Sequence, residues 1–124
     1  MRFNAYIAMP WNVEFHAEPA AEFDRFAEAV QDEMLAHIKR LAEFGPTLGR
    51  PAVDTLNGSG IANLKELRFN ADDGVWRVAF AFDRKRIAVL LAAGDKRGQK
   101  ESRFYRTLIR IAEQRFASWR TGEG

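Results

Sequence analysis

Three strand-patterned segments lie between residues 64 and 93 with only short turns between them, and that spacing limits the fold more than any other feature of the chain. Residues 64–69 and 75–82 flank Ala71-Asp72-Asp73-Gly74, which has hairpin-turn chemistry, and residues 86–93 follow Asp83-Arg84-Lys85. Connections this short join antiparallel neighbours, because a parallel crossover takes a dozen or more residues. The spacing predicts an antiparallel meander. Side chains two apart on a strand share a face, so Trp76, Val78, Phe80 and Phe82 form one apolar side and Val75, Arg77, Ala79 and Ala81 the other. If Leu67 and Phe69 join the core, Glu66 and Arg68 turn to the same side as Arg77. Residues 86–93 are nearly all apolar after Arg86, which suits a central strand covered on both faces.

Before the meander, residues 11–16 alternate and predict a first strand with Trp11, Val13 and Phe15 inward; residues 1–10 either extend it or fray. From Glu18 the pattern is helical. Pro19 suits a first turn, Glu18, Glu22 and Asp24 favour the positive end of the helix dipole, and an apolar stripe runs from Phe23 to Phe44. Residues 18–44 form one long helix or two packed as a hairpin, with a break near 29–32; periodicity leaves both open. Gly45-Pro46 ends the stripe. Residues 45–63, with four Gly and two Pro, read as a surface loop, and its length suggests that it borders a site. Residues 101–119 return to helical period, with Phe104, Tyr105, Leu108, Ile109, Ala112, Phe116 and Trp119 on one broad face. The order implies a single α+β domain over 1–124.

The overall charge of +2 conceals a gradient: 4 cations against 8 acids in residues 1–47, 4 against 5 in 48–83, and 11 against 4 in 84–124. A basic C-terminal third is an electrostatic footprint for a polyanion, nucleic acid or an acidic partner, although solvation of a surface helix would also use such charges. Without cysteine there is no disulfide, thiol nucleophile or Cys-based zinc site, and His16 and His37 stand in no ligand spacing, so neither metal nor cofactor is expected. No apolar run approaches the roughly 20 residues of a spanning helix. The first ten residues are too short and too polar for a signal peptide, so a cytoplasmic protein with no membrane partner is expected.

Glu66, Arg68 and Arg77, with Lys96 at the end of the apolar strand and Tyr105 on the helix after it, suit a phosphodiester better than a metal or an acyl group. Clustered cations neutralise a phosphate and the extra charge of its pentavalent transition state, and a carboxylate can take the proton of a ribose 2′-hydroxyl. Tyr105 could stack on a base or hydrogen-bond a phosphate. Lys65, Arg97, Lys100 and Arg103 are further candidate RNA-binding cations. The alternative is structural: the trio as cross-strand ion pairs and Tyr105 as a core residue with its hydroxyl satisfied locally. His16 and His37 read as a strand-end and a helix-surface residue, and Trp11, Trp76 and Trp119 as core packing.

Residues 43–51 (EFGPTLGRP), Leu64-Lys65-Glu66-Leu67-Arg68, residues 75–83 (VWRVAFAFD), residues 87–96 (IAVLLAAGDK) and Phe104-Tyr105, taken in order, resemble the RelE/ParE toxin superfamily of bacterial toxin-antitoxin systems, and within it the HigB-like branch related to phage Gp49-type proteins. The resemblance implies a RelE-like antiparallel sheet of about four strands packed on an N-terminal helical hairpin, with a C-terminal helix. It implies a metal-independent endoribonuclease that enters the ribosome and cuts mRNA by 2′-hydroxyl attack, silenced by a cognate antitoxin, usually a helix-turn-helix DNA-binding protein. Carried over, Arg68 and Arg77 resemble phosphate-binding and charge-stabilising arginines, Lys96 a basic residue closing the last strand and Tyr105 the C-terminal tyrosine. Glu66 lies near a position where relatives use lysine or glutamate and becomes the general-base candidate. The ParE branch keeps the fold while poisoning DNA gyrase, which sets the alternative partner; an inactive phage-derived regulatory module is a third.

Overall fold

The structure, a computed structural model, describes residues 10–122; the expectation for residues 1–10 falls, apart from Pro10, outside them. Strands β1 (Val13–Phe15), β2 (Val53–Thr55), β3 (Lys65–Ala71), β4 (Gly74–Phe82) and β5 (Ala88–Asp95) form one sheet in the order β1-β5-β4-β3-β2. Helices α1 (Ala17–Phe23) and α2 (Glu28–Phe44) cover one face and α3 (Glu101–Arg120) the other. The β3–β4–β5 meander is antiparallel as predicted, and Asp72 and Asp73 make its first turn with φ of 52° and 61°, the left-handed pair that a tight hairpin needs.

Each face of the meander has its own core. Leu67, Phe69, Val78, Phe80 and Leu90 meet Val30, Met34, Ile38 and Leu41 on the α1/α2 side. Ala79, Ala81, Val89 and Leu91 meet Phe104, Leu108, Ala112 and Phe116 on the α3 side. Because Phe80 pairs with Leu90 and Ala79 with Ala92, Leu91 is the extra residue of a β-bulge. Its carbonyl accepts from Arg115 Nη1 at 2.8 Å, and the same guanidinium grips both carboxylate oxygens of Glu22 at 3.0 and 2.6 Å, joining α3, α1 and the bulge.

Three expectations need correction. The sheet has five strands instead of about four, because β2 lies inside the segment read as a surface loop and adds to β3 in antiparallel register. The first strand joins the sheet parallel to β5, an arrangement open to it because two helices separate it from the meander. Residues 18–44 are two helices, but the break falls at 24–27 and not at 29–32. Breaking there lets Phe26 pack on both Phe23 and Trp76 (centroids 6.3 and 4.9 Å), while the Phe23 carbonyl accepts from the Phe26 amide at 3.0 Å and from Gln31 Nε2 at 2.8 Å. The three tryptophans are half-buried: Trp11 against Phe82, Trp76 against Phe26, and Trp119 donating Nε1 to Asp83 at 2.9 Å.

His16 is more than a strand-end residue. It is the N-cap of α1, nearly fully buried: Nδ1 accepts from the Glu18 amide at 3.1 Å and Nε2 lies 2.8 Å from Ser118 Oγ on α3. Ser118 Oγ donates to the Arg115 carbonyl, so Nε2 is the protonated nitrogen and the ring is neutral. Burial first, and Arg115 after it, lower the His16 pKa below 6.5, against the opposing pull of Glu18 and Glu22. A histidine held neutral in the fold contributes stability above its unfolded pKa, and that contribution declines as pH falls from 6.5 towards the lowered folded value. The urea midpoint of the wild type should therefore fall between pH 7.5 and 5.5 by more than that of His16→Asn, which keeps a cap acceptor without the titration; equal falls would refute this origin.

Gly45 ends α2 with φ of 56°, and a side chain there would run into the Trp11 ring. Gly45→Ala is expected to cost about 2–4 kcal/mol from left-handed strain and overpacking together, measured by denaturant unfolding.

Candidate active site

The α3-facing side of the meander carries a polar cluster at the end where Ala79 and Ala81 give way to larger groups. Glu66 and Arg68 on β3 and Arg77 on β4 share this face, with Glu66 paired to Ala79 and Arg68 to Arg77 across the strands. Tyr105 descends onto them from the first turns of α3. Glu66 is only 5% exposed and Arg77 only 6%. Arg77 Nε donates to Tyr105 Oη at 3.2 Å and Nη1 to the Trp76 carbonyl at 2.9 Å, which fixes the guanidinium behind the phenol. Glu66 Oε1 lies 3.7 Å from Arg77 Nε, and Oε2 lies 3.9 Å from Arg68 Nε.

These distances exceed a hydrogen bond, and Glu66 Oε1 is buried without a hydrogen-bond partner. A buried carboxylate so placed is a costly arrangement for an element that exists only to hold the sheet together. Burial pushes the Glu66 pKa above 4.5, Asp54 adding to it, while the Tyr105 hydroxyl, Arg77 and Arg68 pull the other way. Burial likewise raises Tyr105 above 10.0, so the phenol stays protonated at neutral pH and serves as a hydrogen-bond donor, not as a phenolate base.

Around this centre the rim is ionic. Lys96 Nζ donates to Glu101 Oε1 at 2.7 Å and sits 5.7 Å from the centroid of the Tyr105 ring, a cation over an aromatic face. Glu66 and Tyr105 open into a cleft of about 340 Å3 also lined by Thr55, Leu56, Asn57, Glu101 and Ile109. Residues 55–57 belong to the long connection of the sequence reading, and that connection does border the cluster. Glu113 of α3 pins it by accepting from Ser59 Oγ at 2.9 Å and the Gly60 amide at 2.7 Å.

Glu66, Arg68, Arg77 and Tyr105 thus come together, and Lys96 joins them at the rim. The further candidate cations do not. Lys65, one residue from Glu66, turns to the opposite face and lines a separate cleft with Trp11 and Arg86. Arg97 is tied to the hairpin end, donating to the Asp73 carbonyl at 2.6 Å and pairing with Asp95 at 3.5 Å. Lys100 and Arg103 are exposed at the start of α3, their side chains without partners among the described residues. Asp54 on β2 was missed: its Oδ2 lies 3.7 Å from both Arg68 Nη1 and Arg50 Nε, linking the cluster to the sheet edge. Only the pairing of β2 with β3 brings it there. The described residues bring together no group of three or more His, Asp or Glu able to hold a metal, and no helix among them is long and apolar enough to cross a membrane.

Residues 21–117 match the family described as phage derived protein Gp49-like (DUF891). Two curated relatives come from Mycobacterium tuberculosis. "Putative toxin HigB3" is 49% identical over 79 residues, which span 64% of this chain and 67% of that protein. "Putative toxin HigB2" is 44% identical over 85 residues, 68% of this chain and 42% of that protein. No solved structure matches the chain significantly. The matched span includes the whole meander and all the residues of the buried cluster, and the α+β architecture is that of the RelE-like fold. The chain belongs to the Gp49-like family, within the HigB-like branch of the RelE/ParE toxin superfamily.

Proposed function

We propose that the protein is the toxin of a toxin-antitoxin pair and acts as a metal-independent mRNA endoribonuclease on the ribosome. The observation that carries this reading is the buried Glu66 carboxylate, flanked by Arg68, Arg77 and Tyr105 and opening into a cleft. In the reaction, Glu66 takes the proton of a ribose 2′-hydroxyl, whose oxygen attacks the adjacent phosphorus as the P–O5′ bond breaks. Arg68, 3.9 Å from Glu66, and Lys96, over the Tyr105 ring, offset the charge that grows on the phosphate oxygens. The Tyr105 hydroxyl passes a proton to the departing 5′-oxygen and recovers one from protonated Glu66, leaving a 2′,3′-cyclic phosphate and a 5′-hydroxyl. Arg77, buried behind both, is a positioning residue: its Nε holds the Tyr105 oxygen and its charge keeps Glu66 ionisable.

The relatives' names support a cognate antitoxin as partner, and within this branch a small helix-turn-helix protein is the expected kind. The basic α3 and the acidic α1 and α2 offer it surfaces of opposite sign.

Primer extension on messages from cells briefly induced for the protein tests the reading. New 5′ ends inside translated codons are expected, reduced by about 100-fold or more in Glu66→Gln and Tyr105→Phe. Growth arrest with intact messages and cleaved chromosomal DNA would transfer the reading to gyrase poisoning, and absence of arrest would favour a regulatory module. In single-turnover cleavage on purified ribosomes, the rate should fall as pH drops through the Glu66 pKa, with the acid limb above 4.5 because burial raises it. Glu66→Gln should abolish that limb along with most of the rate.

A further inference from the structure

A second cleft, of about 400 Å3, opens at the sheet edge beside the buried cluster. His37, Arg40 and Phe44 present one stripe of α2 to it, three and four residues apart, and Gly49, Arg50 and Arg68 face them from the connection to β2 and from β3. Phe44 is 45% exposed, the one large apolar side chain so exposed among the described residues. Arg40 is exposed and has no ionic partner among the described residues. Arg50 and Arg68 share Asp54 at 3.7 Å each, and Arg68 also stands 3.9 Å from Glu66, so three guanidinium groups, those of Arg40, Arg50 and Arg68, meet two carboxylates here. His37 is held in place, its ring stacked on Phe69 with centroids 5.2 Å apart and Nδ1 2.9 Å from the Glu33 carbonyl.

An uncovered aromatic ring among three guanidinium groups fits a nucleotide. The forks match phosphate oxygens, and the ring offers a surface on which any base can stack. Arg68 decides between RNA and an acidic peptide as occupant. It lines this cleft and also stands 3.9 Å from Glu66, so a strand whose phosphate lies at Glu66 is continuous with whatever fills the cleft.

We propose that this cleft is a single-stranded RNA subsite in which Phe44 stacks a base of the strand being cut and Arg40 and Arg50 hold its phosphates. The inference rests on the nuclease reading for the identity of the strand, but its geometry is separate from Glu66 and Tyr105. Arg68 is the hinge between the two sites.

The test measures fluorescence anisotropy of a labelled RNA hexamer, 2′-O-methylated so that it cannot be cut, with the intact protein at fixed salt. Phe44→Ala should weaken binding by about 5- to 100-fold, the range of one base stack. Arg40→Glu should weaken it and make the dependence of log affinity on log salt shallower by about 0.7 or more. Gly49→Leu is a third probe: a side chain at Gly49 meets open space and its φ is not left-handed, so leucine should fold and occlude the cleft. Thermal unfolding of each variant at the wild-type temperature confirms that binding alone has changed. Wild-type affinity in Phe44→Ala and Arg40→Glu would overturn the subsite, as would a wild type that does not bind the hexamer. Lost binding in these variants, together with a wild type that leaves every message intact, would uphold the subsite and overturn the nuclease reading alone.

Discussion

The small face of β4 is the constraint on which the rest of the structure depends. Trp76, Val78, Phe80 and Phe82 point one way and Arg77, Ala79 and Ala81 the other, so one strand bounds a bulky core on one side and a shallow one on the other. Alanines at the centre of the α3 face let the helix pack close, with Phe104, Leu108, Ala112 and Phe116 filling the space that larger sheet residues would have taken. Close packing brings Tyr105 to the sheet, and Arg77, the one long side chain on that face of β4, is covered by it. The site follows from a difference in side-chain size along one strand.

Covering Arg77 also covers Glu66, and this makes the cluster chemically distinct. A carboxylate in water would be well solvated and a poor base; behind Tyr105 it has lost much of that solvation, and its Oε1 has no hydrogen bond in return. Two arginines offset part of the loss through charge alone, at 3.7 and 3.9 Å. Both contacts are ion pairs longer than a hydrogen bond, which leaves Glu66 Oε1 buried and unbonded.

The meander was legible because it carries long, clean alternation. Seven and nine residues of β3 and β4 leave little choice of register, and that register decided correctly that Glu66, Arg68 and Arg77 share a face. The helix over 101–119 was equally plain, ending at 120. The three-residue strand β2 was different. Val53-Asp54-Thr55 is too short to show a period, and it becomes a strand only because the edge of β3 offers it a ladder. Asp54 and the Phe44 cleft were invisible for the same reason: both require the connection to fold back along β3. The helix break at 24–27 holds neither glycine nor proline, and tertiary contacts account for it: Phe26 on Phe23 and Trp76, and Gln31 on the Phe23 carbonyl.

By itself the sequence determined the layered α+β class, the order of the meander and which side of it carries the charged residues, because alternation and helical period act within a dozen residues of chain. Tertiary structure alone decided how deep those charges lie, that Tyr105 meets Arg77, that β1 runs parallel to β5, and that α2 and the β2 edge enclose a second cationic cleft. Burial and proximity between distant segments depend on how whole layers pack, and no local pattern encodes the distance between layers.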